Sequence, residues 1–268
     1  MLDIMSQAQN AIAAYNSALS VHSSNIANMS VTGYKRLDIS FQSVFEKVLR
    51  SGTAANTFAN LGGTNPEQLG QGTAVSNVSV DFTAGGTVEG SDIDLAIKGQ
   101  GLFIVSPDGG NTYLYTRAGK FSIVNGNLVT EAGMQVYGLN DSGGLTAITG
   151  LTGADPGLYS WSNSGQLLYN TFPAGYRIAL TYFQNPGGLQ QAQGTTFRET
   201  MASGSSATPE APEQGSAGSI IPGQLEQSNV FYIGENIDSL EIQRAMSANL
   251  SVVRMASDII SSFISKLG

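Results

Sequence analysis

Cysteine is absent from the 268-residue chain, and histidine occurs once. Without cysteine there is no disulfide framework, no cysteine-based zinc site and no thiol nucleophile. A serine–histidine–aspartate triad would need His22, the single histidine, as its base. These absences exclude several large classes of enzyme and metalloprotein.

Charged residues are also scarce, at 12% of the chain against about 25% in an average protein. The 12 Lys and Arg against 20 Asp and Glu leave a net charge of −8, so we expect neither nucleic acid nor an anionic membrane as a partner. No apolar run approaches the length of a membrane-spanning helix. The N-terminus lacks the basic and apolar segments of a cleaved secretory signal, which predicts a cytoplasmic protein or one exported without such a signal.

In the N-terminal segment, apolar side chains recur at alternating steps of three and four residues, with the polar His22 at one of these positions. This is the heptad pattern of a helix that packs against another helix. Because glycine is favoured just past a helix end, the pattern predicts a helix that ends near Gly33. Asp3 is the one charged residue among residues 1–34, so we expect this helix to be covered on several sides. The predicted assembly seam at this end comprises Met5, Ile12, Tyr15, Leu19, His22, Ile26 and Met29.

The C-terminal segment repeats this spacing, with Ser228 or Asn229 as the expected N-cap. The apolar positions of residues 230–240 follow it in a shifted phase, which predicts a slip of two residues near Leu240. Neither terminal helix can bury its seam alone, so we expect the two to pair as a coiled coil. The second half of the predicted assembly seam comprises Ile242, Met246, Val253, Ile260, Phe263 and Leu267.

The middle of the chain reads as short β-strands separated by turns, at residues 74–82, 94–97, 102–105, 113–117, 120–124, 127–130, 134–138 and 176–183. Asn125-Gly126 predicts a two-residue hairpin, and Pro107-Asp108-Gly109-Gly110 a second turn. The predicted class is α+β, with a mainly antiparallel β domain between paired terminal helices. The predicted domains are a helical domain (1–34 plus 227–268), a connector (35–69) and a β-rich domain (70–226) with a flexible loop near 200–219.

Candidate reactive groups are few, and each has a simpler structural explanation. The Gly-Gln-Gly sequences at residues 70–72 and 99–101 lack the third glycine and the following helix of a dinucleotide site, so they indicate turns. Asp92 and Asp94 would share one face of a strand, which favours a solvated edge over a carboxylate pair for catalysis. His22 would act as a base, as a pH-sensitive switch, or as a polar seam residue that sets helix register, and the seam position favours the last. We therefore predict no catalytic residue, no cofactor and no metal cluster, leaving a calcium site built from carbonyls and Asp open.

Four motifs resemble the signatures of bacterial flagellar rod and hook proteins, in the expected order and at the expected ends of the chain. They lie at residues 24–35, 94–103 with 115–121, 223–230, and 243–245. Residues 63–72 further resemble the hook version of that region. The motif residues that carry the resemblance at the two ends are Asn25, Ile26, Ala27, Asn28, Gly33, Tyr34, Lys35, Leu225, Glu226, Ser228, Asn229, Gln243 and Arg244.

The resemblance implies a structural subunit rather than an enzyme. Members of this family are exported through the flagellar type III apparatus without a cleaved signal peptide and stack helically into a hollow, torque-transmitting tube. The implied partners are further copies of the chain and the neighbouring rod, hook, cap and junction proteins of the flagellum. The chain length suits a distal rod protein or a short hook protein. The alternative is a monomeric β-rich binding or hydrolytic domain with a helical stalk.

Overall fold

The computed structural model describes residues 2–44, 46–52, 62–65, 67–70, 72–153 and 155–267. Two long helices stand at the ends of the chain, α1 (Leu2–Ala27) and α2 (Tyr232–Leu267). The part of the predicted connector at residues 45, 53–61 and 66 lies outside the described residues. Neither helix in the described part of the chain combines the length and apolarity needed to cross a membrane.

The chain divides into two compact units. The helical unit consists of Met1–Ser24, Asp38–Val78 and Tyr232–Gly268, and the β-rich unit of Asn25–Leu37 and Ser79–Phe231. These bounds differ from the predicted domains at three places, because residues 38–78 join the helices, whereas residues 25–37 and 227–231 join the β-rich part. The chain therefore passes from one unit to the other four times.

In the helical unit, the predicted connector folds into two antiparallel ribbons. One ribbon pairs β2 (Glu46–Arg50) with β3 (Glu67–Gly70), and the other pairs β1 (Leu37–Ser43) with β4 (Thr73–Val80). Helix α1 packs on these strands through an edge-to-face contact of Tyr15 with Phe41, whose ring centroids are 5.9 Å apart. The Gln7 side chain also donates a 2.9 Å hydrogen bond to the Gly70 carbonyl.

The β-rich unit confirms the antiparallel architecture. Its strands are β5 (Thr87–Glu89), β6 (Leu95–Lys98), β7 (Leu102–Ser106), β8 (Leu114–Thr116), β9 (Phe121–Val124), β10 (Asn127–Thr130), β11 (Gln135–Asn140), β12 (Leu145–Ala147), β13 (Tyr159–Trp161), β14 (Gln166–Tyr169), β15 (Phe172–Ile178), β16 (Leu180–Thr181), β17 (Gln190–Gln191), β18 (Thr196–Arg198), β19 (Ser219–Pro222) and β20 (Gln224–Glu226).

The main sheet runs in the order β13-β14-β15-β11-β7-β8-β18-β17, with β10 and β12 also paired to β11, β9 to β10, and β16 to β7. Strand β7 is buried along its whole length, and its alternating side chains enter two separate hydrophobic clusters. Phe103 and Val105 face one cluster, which includes Trp161, whereas Leu102 and Ile104 face the other. Two smaller pairs, β19 with β6 and β20 with β5, complete the unit.

Both predicted turns are confirmed. Asn125 and Gly126 have positive φ angles of 52° and 77° and connect β9 to β10 as a two-residue hairpin, with Val124 opposite Asn127. The second turn connects β7 to β8. The segment 200–219, predicted as a flexible loop from its composition, is hydrogen-bonded to the sheet. Glu210 and Leu180 exchange two backbone bonds of 2.9 Å, and Ala211 is buried.

The predicted end of the first helix needs correction. Helix α1 ends at Ala27, so Met29 lies in the turn beyond it, 42% exposed, and Gly33 is not its C-terminal cap. The amides of Asn28 and Met29 donate to carbonyls three residues back, which is the bonding of a tight turn rather than of an α-helix. The Asn25 side chain hydrogen-bonds to the backbone of Leu37 and so fixes this turn.

The second helix also begins later than predicted, at Tyr232, and neither Ser228 nor Asn229 caps it. The predicted slip near Leu240 is wrong, because Ile233, Ile237 and Leu240 are all exposed. The buried positions of α2, which are Glu235, Ile242 and Ala256, instead keep a single heptad phase along the helix.

Candidate functional site

A buried ion cluster in the β-rich unit joins residues from three distant parts of the chain. Lys35 Nζ lies 2.6 Å from Glu226 Oε1, and Arg117 Nη1 lies 3.3 Å from Glu226 Oε2. The three side chains are 0%, 5% and 1% exposed, in the order Lys35, Arg117 and Glu226. One carboxylate therefore serves two buried cations, and its loss would leave two positive charges in a low-dielectric interior.

Backbone carbonyls supply the remaining partners of the two cations. Lys35 Nζ donates to the Thr83 carbonyl at 2.8 Å. The Arg117 guanidinium donates to the Ile97 and Gly99 carbonyls at 3.3 and 2.6 Å, while its Nε is buried with no hydrogen-bond partner in the described part of the chain. These bonds attach the cluster to β6, to the loop that follows it and to the segment between β4 and β5.

Burial lowers the pKa of Lys35, and the hydrogen bond and charge of Glu226 oppose this shift. Burial likewise lowers the pKa of Arg117, against the attraction of the same carboxylate. In both cases desolvation is the largest contribution and Glu226 the main compensation. Glu226 is therefore the residue on which the burial of both cations depends.

Asparagine side chains extend this network along the backbone. Asn25 Nδ2 donates to the Leu37 carbonyl and Asn25 Oδ1 accepts from the Leu37 amide, both at 2.9 Å, while the Tyr34 hydroxyl donates to the same oxygen at 3.2 Å. Asn229 Oδ1 accepts from the Arg36 amide at 2.7 Å, and its Nδ2 donates to the Asp81 carbonyl at 2.8 Å. Asn25 thus binds both main-chain polar groups of Leu37, and Asn229 bridges the main chains of Arg36 and Asp81.

Gly33 is required by two features of this network. Its φ of +68° lies in the left-handed region, and a Cβ atom there would clash with the backbone of Ala118. Its amide donates to the Glu226 carbonyl at 2.8 Å. The close approach of residues 33 and 118 therefore depends on glycine, and this explains the glycine of the N-terminal motif.

The polar groups of this network bind other segments of the chain. They hold together residues 25–37, 79–87 and 223–229, which are the segments through which the chain enters and leaves the β-rich unit. These hydrogen bonds and ion pairs join the three segments to one another.

A buried contact between a histidine and a carboxylate lies within the helical unit. His22 Nδ1 is 2.6 Å from Glu235 Oε2, with the side chains 11% and 2% exposed. The pair joins α1 to α2 at positions 213 residues apart in sequence. It fixes the heptad phase of α2, because Glu235 and Ile242 are one heptad apart on the same face.

The predicted seam residues are only partly covered in the single chain. In α1, His22 is buried and the other seam residues up to Ile26 are half-buried. The fully buried face of α1 is displaced by about one position and consists of small residues: Ala8, Ala11, Ala14 and Ala18. In α2, Ile242 is buried, Met246, Val253 and Ile260 are half-buried, and Phe263 and Leu267 are exposed.

The predicted motif residues divide between the network and the surface. The structure brings Asn25, Gly33, Tyr34, Lys35, Glu226 and Asn229 together. It leaves Gln243, Arg244 and Ala27 exposed, and Ile26, Asn28, Leu225 and Ser228 half-buried. Sequence reasoning missed Arg117 and Glu235 as partners, although Arg117 stood within one of the family motifs.

Removing His22 should weaken the helical unit in a graded way. We expect His22→Ala to lower the free energy of unfolding by about 3 kcal/mol, since it removes the hydrogen bond between the imidazole and the buried Glu235 carboxylate. His22→Gln should cost less, because an amide can still donate to the carboxylate. Circular dichroism at 222 nm during urea unfolding measures both values, with exposed Glu241→Gln as the control. Equal losses for the two His22 variants would contradict the role of the pair.

Comparison with known proteins places these features in a family. Residues 5–35 match the family model described as flagella basal body rod protein, and residues 96–152 match the flagellar hook protein FlgE/F/G D1 domain. The chain is 30% identical to the flagellar basal-body rod protein FlgG of Bacillus subtilis over 93% of both chains. The chain belongs to the flagellar rod and hook protein family.

Other relatives agree with this assignment. The FlgG protein of Caulobacter vibrioides is 32% identical over 94% of this chain and 95% of its own. The flagellar hook protein FlgE of Helicobacter mustelae is 41% identical, over 47% of this chain and 28% of its own. Lys35 and Arg117 each fall inside one of the two matched family regions, so the ion cluster joins the rod region to the D1 region. The chain is a structural subunit of the flagellar axis.

Proposed function

We propose that this chain is a subunit of the flagellar rod that polymerises with itself into a hollow helical tube. The rod is favoured over the hook by coverage, since the rod relatives match over nearly their whole length. The hook relatives match over 22% and 28% of theirs. The resemblance of residues 63–72 to hook proteins supports a short hook protein as the second candidate.

The observation that carries this proposal is an exposed apolar stripe on α2. Since an α-helix turns by about 100° per residue, these positions lie about 100° or more around the helix from the face that holds Glu235 and Ile242. A helix with two apolar faces buries both of them only when it packs between two neighbouring elements or subunits. The stripe comprises Ile233, Ile237, Leu240, Met255 and Ile259, each more than half exposed.

The terminal helices would then form the contacts of the tube. We infer that α1 and α2 pair along the predicted seam and that the stripe of α2 packs on other copies. The nearly uncharged surface of α1 fits such packing. When this surface is buried against a neighbouring subunit, Asp3 is the one charged side chain that would enter the contact. The β-rich unit would remain folded independently of this assembly.

The same proposal includes the remaining expectations from the sequence. The chain would be exported to the flagellum without a cleaved signal peptide and would contact neighbouring rod, hook, cap and junction proteins. It would carry no catalytic residue, and His22 would act only through its contact with Glu235.

The position along the axis can be tested by fractionation. In the bacterium that encodes the chain, purified hook–basal bodies are separated into rod and hook fractions, and peptides of this chain are quantified by mass spectrometry. A rod subunit should be enriched in the rod fraction and its deletion should abolish motility. Enrichment in the hook fraction would favour the second candidate, and absence from both would contradict the proposal.

A further inference from the structure

An aromatic side chain stands exposed at the tip of a hairpin in the β-rich unit. Phe172 is 72% exposed and begins β15, directly after the turn formed by Asn170 and Thr171. These two residues have φ angles of +48° and +72°. A β-branched residue rarely adopts such a conformation, and strain of this kind collects at functional positions. Phe172 is thus held outward by a defined turn, paired with Tyr169 across the hairpin.

A pocket of about 340 Å³ opens elsewhere on the same unit. Residues 99–101 and the exposed Gln184 line it, together with the apolar Leu102 of β7. A cavity of about 150 Å³ already accepts a benzene ring, so this pocket has room for a phenylalanine side chain. The other lining side chains that matter here are Phe82, Arg117, Tyr182 and Phe183.

The charged residues next to the two features are opposite in sign. Asp155 is exposed in the turn next to the hairpin, where the Asn170 amide donates to the Leu158 carbonyl. Lys98 is exposed immediately before residues 99–101, which line the pocket. An acidic group beside the aromatic tip and a basic group beside the pocket favour their approach.

We propose that Phe172 of one copy docks into this pocket on a second copy of the chain. The inference rests on the proposed function and identifies one contact of the polymer. Phe172 cannot serve its own pocket, because its side chain is largely exposed and β11 separates its strand from β7 in the sheet. A tip and a pocket at different places form a head-to-tail contact, which propagates into an open helical assembly instead of a closed dimer.

The absence of cysteine from the chain allows a direct cross-linking test. The full-length double variant Phe172→Cys, Gln184→Cys is polymerised and then oxidised. The expected result is a ladder of disulfide-linked oligomers on denaturing gels, which neither single variant produces. As a matched control, Val124→Cys, exposed at another hairpin, is combined with Gln184→Cys and should give no ladder.

A second measurement distinguishes an error in the proposed docking contact from an error in the proposed function. Phe172→Ser should raise the protein concentration needed for polymerisation at least about tenfold, since it removes a buried aromatic ring from each contact. Two control variants should leave that concentration unchanged. Thr171→Gly keeps the phenylalanine ring and adopts the same positive φ angle without strain. Met201→Ser changes an exposed side chain on another loop. Polymerisation without a ladder and without an effect of Phe172→Ser would overturn this contact alone. Failure of the unaltered chain to polymerise would overturn the proposed function, and the contact with it.

Discussion

Glu226→Gln is expected to lower the free energy of unfolding of the β-rich unit by about 3–5 kcal/mol. The change removes the negative charge shared by Lys35 and Arg117 and leaves both cations buried, which is the costly way to break a buried ion pair. The amide can replace some hydrogen bonds but no charge. Urea unfolding monitored by the fluorescence of Trp161, which is buried in the same unit, measures the loss.

A matched control is available on the surface of the same unit. Lys120 and Glu131 form a 3.0 Å ion pair whose side chains are 50% and 72% exposed. Because solvent screens such pairs, Glu131→Gln should change the free energy of unfolding by less than about 1 kcal/mol. Equal effects of the two Glu→Gln changes would show that the cluster does not stabilise the junction of the chain segments.

The second large effect concerns assembly rather than stability. Ile237→Asp combined with Ile259→Asp should abolish polymerisation, because each copy would bring two charges into an apolar contact. Both side chains are more than half exposed in the single chain, so the free energy of unfolding should change by no more than about 1 kcal/mol. Light scattering at increasing concentration measures assembly, and urea unfolding measures stability.

The control for this variant lies on the polar side of the same helix. Ser261 is exposed between the two apolar faces of α2, so Ser261→Asp adds a charge without entering either face. It should polymerise like the unaltered chain. Polymerisation of the double aspartate variant would exclude the stripe as an assembly surface.

Local signals in the sequence predicted the local parts of the fold. The turn at Asn125-Gly126 needs two left-handed residues, and the alternation around it places strands on both sides. The heptad spacing of α2 from Ile242 onward also predicted the face on which Ile242 and Ala256 are buried. In each case the determining interactions lie within a few residues or within one helix.

Contacts between distant residues determined what the sequence could not predict. Helix α1 ends at Ala27 because Asn25 binds Leu37, a competing interaction that the heptad pattern does not reveal. The phase of α2 near Leu240 follows from Glu235 meeting His22, 213 residues away. The partners of Glu226 lie 109 and 191 residues from it in sequence. The separate motifs therefore contain the members of the cluster but do not show that these residues contact one another.

Electron cryo-microscopy of the concentrated, purified full-length chain tests the central claim most directly. If the chain is an axial subunit, it should form hollow helical tubes whose inner layer contains both terminal helices, with the stripe of Ile237 and Ile259 buried between copies. Particles that remain monomeric at the highest attainable concentration, or filaments in which this stripe faces solvent, would contradict the account.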